Sequence, residues 1–258
     1  MSRPVSTFPD KFRLDGRTAL VTGSARGLGW EMAKALGEAG ARVLLHGRTP
    51  DRIAPRLAEL RQAGVASDAL AFEMGDRAAM AAEVSRGGPI DILIHNVGER
   101  DRRPFAEIAP EDFARLVDID LNAAHAMVKL LVPGMVARRW GRLILVTSIV
   151  ADLAVPGAVS YVAAKGGLAA LSRALAAELG ATGVTSNSLS PGFFATETNT
   201  RLIASPRGEE QRERCPAKRW ADPSEIAGAA LFLASPAASY VNGHALVVDG
   251  GVSATYMS

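Results

Sequence analysis

The chain alternates between short apolar runs and longer amphipathic stretches. "TALVT" at 18–22 is followed by "WEMAKALGEAG", in which Met32, Ala35, Leu36 and Ala39 recur at helical spacing. "RVLLH" at 42–46 leads into the helical "DRIAPRLAELRQAG", and "DALAF" at 68–72 into a short helix at about 76–86. "IDILIHN" at 90–96 precedes a long helical region at about 111–138, and "RLILVTS" at 142–148 precedes another at about 158–181. "VTSNSLSPG" at 184–192, a looser segment and a helix at about 223–234 lead to "HALVVDGG" at 244–251. Runs such as Leu143 to Val146, or Leu93 and Ile94, are apolar without alternation, as strands must be when helices cover both faces of a parallel sheet. The pattern predicts an α/β fold: one doubly wound parallel sheet of about seven strands with helices on both faces. Residues 14–258 form this single domain behind an N-terminal extension, 1–13. The least regular stretch, 193–222, carries Pro206, Gly208, Pro216 and many charges, and is expected to be a mobile substrate loop.

Composition narrows the class of partners. With 48% hydrophobic residues, 22% charged residues and a mean hydropathy of +0.11, the chain can bury a large core. Its net charge of +2 comes from 29 basic and 27 acidic residues spread along the chain, which makes no electrostatic case for nucleic acid or a membrane surface. "MSRPVSTFPDKF" has no apolar signal core, and no run approaches the ~18 apolar residues of a membrane span. A soluble cytoplasmic protein is the expectation. The single cysteine, Cys215, allows neither an internal disulfide nor a structural zinc site, and suits a reducing compartment. His46, His95, His125 and His244 lack metal-ligand spacing; they are read as structural, and no metal is expected.

The chemistry begins where the first strand meets the first helix. Gly23, Gly27 and Gly29 leave the backbone bare there, so the chain can turn sharply and a ligand can approach the peptide groups. The helix that follows offers unpaired N–H groups and the positive end of its dipole to an anion. In a βαβ unit the anion expected at that place is a dinucleotide pyrophosphate. The second strand ends "LLHGR": Gly47 stands where a carboxylate would hold a free ribose 2′-hydroxyl, Arg48 follows, and Arg26 lies inside the glycine turn. Two guanidiniums without a carboxylate favour a 2′-phosphate, hence NADP, with NAD remaining possible.

The TGxxxGxG spacing, "HNVG" at 95–98, "DLNA" at 120–123, "TSIVADLAVPGAVSYVAAKGG" at 147–167 and "SPGFFATE" at 190–197 follow one another in a specific order. Together they resemble the short-chain dehydrogenase/reductase family, a Rossmann-type fold, from about Leu14 to Gly251; His95 and Val97 depart from the family's NNAG. The resemblance implies cofactor contacts from Gly23, Ser24, Arg26, Gly27, Leu28, Gly29, Arg48, Glu73, Met74, Asn96, Gly98, Tyr161, Lys165, Pro191, Gly192 and Thr196. Glu73 replaces the family's usual aspartate at the adenine amino group. It also implies Asn122, Ser148, Tyr161 and Lys165 as catalytic residues. A free tyrosine ionises near pH ~10, too high for a good base at neutral pH. Lys165, four residues along the same helix, shares a face with Tyr161, and an ammonium there favours the phenolate. By resemblance, Lys165 also binds the nicotinamide ribose, Ser148 holds the substrate oxygen and Asn122 ties Lys165 to a water chain.

Within the family, "RVLLHGR", "PGFFATE", "ERDRRP" and the stretch from "CPAKRWADPSEIAG" to "HALVVDGG" look like the gluconate 5-dehydrogenase group. That implies exchange between D-gluconate and 5-keto-D-gluconate. Arg100, Arg102 and Arg103 could receive a sugar-acid carboxylate, with Arg102 joining Ser148 and Tyr161 at the substrate. Ala151, in "SIVADL", removes a hydroxyl that the group's more polar stretch would offer. Two alternatives stay open: a 3-oxoacyl-thioester or other ketone reductase, and a dinucleotide sensor without turnover. The resemblance further implies a homotetramer built through the helices at about 111–138 and 158–181.

Overall fold

All seven expected strands form in the computed structural model, which describes residues 7–255. They are β1 (Thr18–Val21), β2 (Arg42–Gly47), β3 (Ser67–Ala71), β4 (Ile92–His95), β5 (Gly141–Val146), β6 (Val184–Pro191) and β7 (Ala245–Val248). They pair in parallel in the order β3-β2-β1-β4-β5-β6-β7. The direction of winding reverses between β1 and β4, and such a switch opens a crevice beyond the carboxyl ends of the strands. Every residue of β5 and β6 is buried, as expected of central strands covered on both faces.

The helices are α1 (Gly27–Glu38), α2 (Pro50–Gln62), α3 (Arg77–Gly87), α4 (Pro110–Val117), α5 (Ala123–Ala137), α6 (Val159–Leu179), α7 (Thr200–Ile203), α8 (Pro206–Arg214) and α9 (Ala227–Ala234). Met32 and Leu36 of α1, Ile53 and Leu60 of α2, and Leu233 of α9 pack with Val21, Val43 and Ile144 on one face of the sheet. Met80 of α3 and Met127, Leu131 and Met135 of α5 pack with Leu20, Leu44 and Leu93 on the other. Asp76 caps α3 by accepting from the N–H groups of Ala78 and Ala79.

The long helical region is a single rod, but Asp118–Asn122 forms a π-helical turn between α4 and α5. A π turn inserts a residue and rotates the side chains that follow, a device common at functional sites. This rod, Pro110–Ala137, does reach the length and apolarity of a membrane span, contrary to the expectation from the sequence. Its apolar stripe is occupied otherwise: Leu116, Ala124, Met127, Val128, Leu131 and Met135 are buried within the domain.

Residues 193–222 are more ordered than their composition suggests. Phe194 bridges to Ala221, α7 and α8 lie between them, and the Trp220 indole donates to the Gly208 carbonyl at 3.2 Å. Helix α8 escaped the sequence pattern because "PRGEEQRER" has no apolar stripe; Ser205 starts it by accepting from the Gly208 N–H at 3.3 Å. Cys215 is buried, its thiol directed at the Asp249 and Gly250 carbonyls. Of the N-terminal extension, residues 1–6 lie outside the described residues, and Pro9–Phe12 makes one 3₁₀ turn.

Candidate active site

A cleft of about 880 Å³ runs across the carboxyl ends of the strands. Its floor at one end is the glycine turn, where Gly23 (φ +64°) and Gly27 (φ +55°) adopt the left-handed backbone that glycine permits at little cost. Helix α1 begins at Gly27, so its first unpaired N–H groups point to the cleft wall formed by Gly27 and Leu28. The turn is held from behind. The Gly23 N–H donates to His46 Nδ1 at 3.0 Å, and His46 Nε2 lies 3.1 Å from the Phe72 carbonyl. Those two bonds require a neutral imidazole protonated at Nε2, and burial pushes its pKa down to about 4. His46 thus braces the glycine turn. Ser24 and Gly29, expected to touch the cofactor, lie behind the wall: Ser24 Oγ accepts from the His46 N–H, and Gly29 packs against Gly23 and Asn96. Asn96 lines the cleft and pins β4 to the glycine turn, its Nδ2 donating to the Thr22 carbonyl at 3.1 Å.

Arg26, Arg48, Glu73 and Met74 converge at the β2 side of this end. Arg52, from the first turns of α2, joins them, although nothing at the sequence level distinguished it from its neighbours. Among the described residues these three arginines have no carboxylate partner, whereas Arg56, one turn on, pairs with Glu59. The cradle fits a dinucleotide: bare peptides and a helix N-terminus for the pyrophosphate, three free guanidiniums beside it.

At the other end β5 delivers Ser148 and α6 delivers Tyr161 and Lys165, with Pro191, Gly192 and Thr196 completing the wall. Ser148 is buried and caps the short turn after β5, accepting weakly from the Val150 N–H at 3.4 Å. Lys165 is almost fully buried, its Nζ donating to the Val146 carbonyl at 3.0 Å. Burial alone pushes the Tyr161 phenol up; Lys165 and Arg100 outweigh it, and the phenol ends below its ordinary value. The Arg100 guanidinium stands 5.0 Å from the centre of the Tyr161 ring.

Asn122 does not belong to this group. It is exposed, and its amide reaches Asp118 on its own π turn at 3.3 Å. The side chain beside Lys165 is Asp120, fully buried, with Oδ2 3.8 Å from Lys165 Nζ. The signal was in the sequence. Leu116, Asp120, Ala123, Ala124 and Met127 fall on one helical stripe, and Asn122 lies off it. Burial raises the Asp120 carboxyl above its usual range even though Lys165 opposes the shift. His95 is also fully buried and held neutral, its pKa pushed down to about 3 by burial and by Lys165.

Of the arginines after β4, Arg100 and Arg102 line the cleft. Arg103 is occupied instead by Asp101 and Asp112, which removes it from the substrate reading. Arg102 is pulled below its ordinary pKa by burial, by Arg100 and by Arg207 of α8. The influence of Arg207 on Arg102 comes from a distant segment and has no trace in the sequence.

A doubly wound sheet, a dinucleotide-sized cleft at its switch point and a phenol eased toward ionisation by a buried ammonium define a dinucleotide-dependent oxidoreductase. Residues 23–253 match the family described as Enoyl-(Acyl carrier protein) reductase. The chain is 40% identical to the 2-dehydro-3-deoxy-D-gluconate 5-dehydrogenase of Formosa agariphila, covering 95% of this chain and 96% of the relative. It is 37% identical to the gluconate 5-dehydrogenase of Gluconobacter oxydans, covering 95% and 98%. The structure of a gluconate 5-dehydrogenase from Burkholderia cenocepacia, in complex with NADP and tartrate, superimposes with a TM-score of 0.91 at 36% identity, covering 96% and 99%. The chain belongs to the short-chain dehydrogenase/reductase family and is an oxidoreductase acting between secondary alcohols and ketones.

Proposed function

We propose that this chain uses NADP to interconvert a secondary alcohol and a ketone on a sugar acid of the D-gluconate and 5-keto-D-gluconate type. One observation carries the reading: Ser148, Tyr161 and Lys165 share a cleft with Arg100 and Arg102, two guanidiniums without carboxylate partners among the described residues. A sugar acid brings both groups this arrangement needs, a carbinol for the phenol and a carboxylate for the arginines. The names of the relatives point the same way.

Bound NADP supplies or accepts the hydride. The glycine turn and α1 hold its pyrophosphate, Arg26, Arg48 and Arg52 its 2′-phosphate, Glu73 and Met74 its adenine, and Asn96, Gly98, Pro191, Gly192 and Thr196 its nicotinamide half. Ser148 Oγ donates to the substrate oxygen and fixes its position. Tyr161 Oη takes the hydroxyl proton during oxidation and returns it during reduction, and Lys165 makes the phenolate accessible and holds the nicotinamide ribose. Residues 193–222 wall the cleft through Phe194, Thr196 and Asn199. The enzyme works in the cytoplasm, consistent with its lone buried thiol. It assembles as a homotetramer through α4, α5 and α6, whose surfaces leave Phe113 and Leu130 exposed.

A substrate panel with NADPH tests the reading. 5-Keto-D-gluconate should be reduced with the highest kcat/KM, ahead of acetoacetyl thioesters and small diketones. Arg102→Ala should raise its KM by roughly 10–100-fold, the loss of one charge-assisted hydrogen bond, while reduction of an uncharged ketone is unaffected. A preference for acetoacetyl thioesters would assign the chain to the fatty-acyl branch instead.

Arg48→Asp should weaken NADPH binding about 10-fold or more and improve NADH relative to it, because a ribose-pairing carboxylate replaces a phosphate-pairing cation. Cofactor titration by fluorescence checks it. If the substitution leaves both affinities unchanged, the 2′-phosphate site lies elsewhere.

A further inference from the structure

Asp120 has no part in the reaction just described, yet it sits at its centre. The carboxylate is fully buried at the π turn between α4 and α5. Oδ1 accepts from the Glu99 N–H at 2.7 Å, while Oδ2, also buried, has no hydrogen-bond partner and stands 3.8 Å from Lys165 Nζ. The space between them is kept open by Gly98. A Cβ there would come 2.8 Å from Lys165 Nζ and 3.1 Å from Asp120 Oδ2. A carboxylate removed from water persists only when a cation faces it, and here that cation is the ammonium on which Tyr161 depends.

The charged surroundings are few. Helix α6 presents Lys165 and Tyr161. The segment after β4 presents Arg100 and Glu99, whose own carboxylate is taken up by Arg115 of α4. His95, at the end of β4, is neutral across the working range. On the π turn itself Asp118 is paired with Arg77. The positive groups near the phenol, Lys165, Arg100 and Arg102, therefore meet one fully buried negative group among the described residues, Asp120.

We infer that Asp120 is a positioning residue for the Tyr161–Lys165 pair: its carboxylate seats the ammonium, and its charge offsets part of the ammonium's pull on the phenol. Asp120 thereby sets the pH at which Tyr161 releases its proton. A neutral amide in its place would leave the pull of Lys165 undiminished. The inference rests on Tyr161 being the acid–base group, and its test separates the two.

The test titrates the phenol directly. The chain has three tyrosines, Tyr161, Tyr240 and Tyr256, so ultraviolet difference absorbance of the protein without added cofactor resolves Tyr161 once Tyr161→Phe has identified its share. In Asp120→Asn, and in Asp120→Ser should the amide disturb folding, the Tyr161 inflection should move to lower pH by about one unit, as removal of one nearby like charge predicts. The pH profile of sugar-acid oxidation should move the same way. A purely structural Asp120 would change stability or total activity and leave both inflections in place. Unmoved inflections, or a movement to higher pH, overturn the inference. If Tyr161→Phe keeps its turnover, the acid–base assignment itself falls, an outcome that the Asp120 variants cannot mimic.

Discussion

Tyr161→Phe should lower turnover by at least the ~10²–10⁴-fold that accompanies loss of a general acid–base group, while folding and NADPH binding stay near normal. The substitution removes one oxygen and keeps the ring, which is 8% exposed and packed under Arg100. Nothing else in the cleft can take over. Ser148 remains a neutral hydroxyl, the Lys165 ammonium is already committed to the Val146 carbonyl and Asp120, and His95 and His46 are held neutral by burial. The measurement is kcat at saturating 5-keto-D-gluconate and NADPH, with cofactor affinity titrated alongside. A dinucleotide sensor would have no turnover to lose. A variant that reduces its best ketone at the wild-type rate ends this mechanism.

Lys165→Ala should be the most damaging single change, because it strips a cation from two partners at once. Tyr161 loses the group that most offsets its burial, so its phenol rises and oxidation shifts to higher pH. Asp120 becomes a buried carboxylate facing no cation nearer than Arg100, a situation that typically costs about 3–5 kcal/mol. It relieves the cost by taking up a proton, and that fixes the sign of the pH dependence. A carboxyl whose folded pKa is raised favours the folded state fully below the unfolded value of ~3.9, and loses that contribution as pH rises through the folded value. The melting temperature of Lys165→Ala should therefore lie nearest the wild type in mild acid and fall away toward neutrality. A deficit in Tm that is constant between pH 5 and 8 would show that Asp120 is not left charged by the substitution. Cofactor affinity should weaken as well, through the lost ribose contact.

How much of this was legible before folding follows from the range of each interaction. The strands and nearly all helices could be read because burial imposes a local period on the chain: "RLILVTS" can only be a strand covered on both sides, and "SYVAAKGGLAALSRALAAEL" shows its buried face at every third and fourth residue. The glycine turn, Arg48, Tyr161 and Lys165 were equally visible, since the chemistry they perform needs fixed spacing within one turn or one helix. Ser148 was visible because a strand end lies a fixed distance from the helix that follows. What the tertiary structure alone decided are the meetings between segments far apart in the chain. Arg207 acts on the charge of Arg102 across about a hundred residues, Arg52 joins Arg26 at the cleft, and Arg103 is taken from the substrate by Asp101 and Asp112. The exchange of Asn122 for Asp120 stands between the two cases. The helical stripe marked Asp120 as inward, but a charged side chain on such a stripe has meaning only when its partner is known. That partner, Lys165, comes from another helix, through the gap left by Gly98, because a buried charge is tolerated only where the fold brings its opposite.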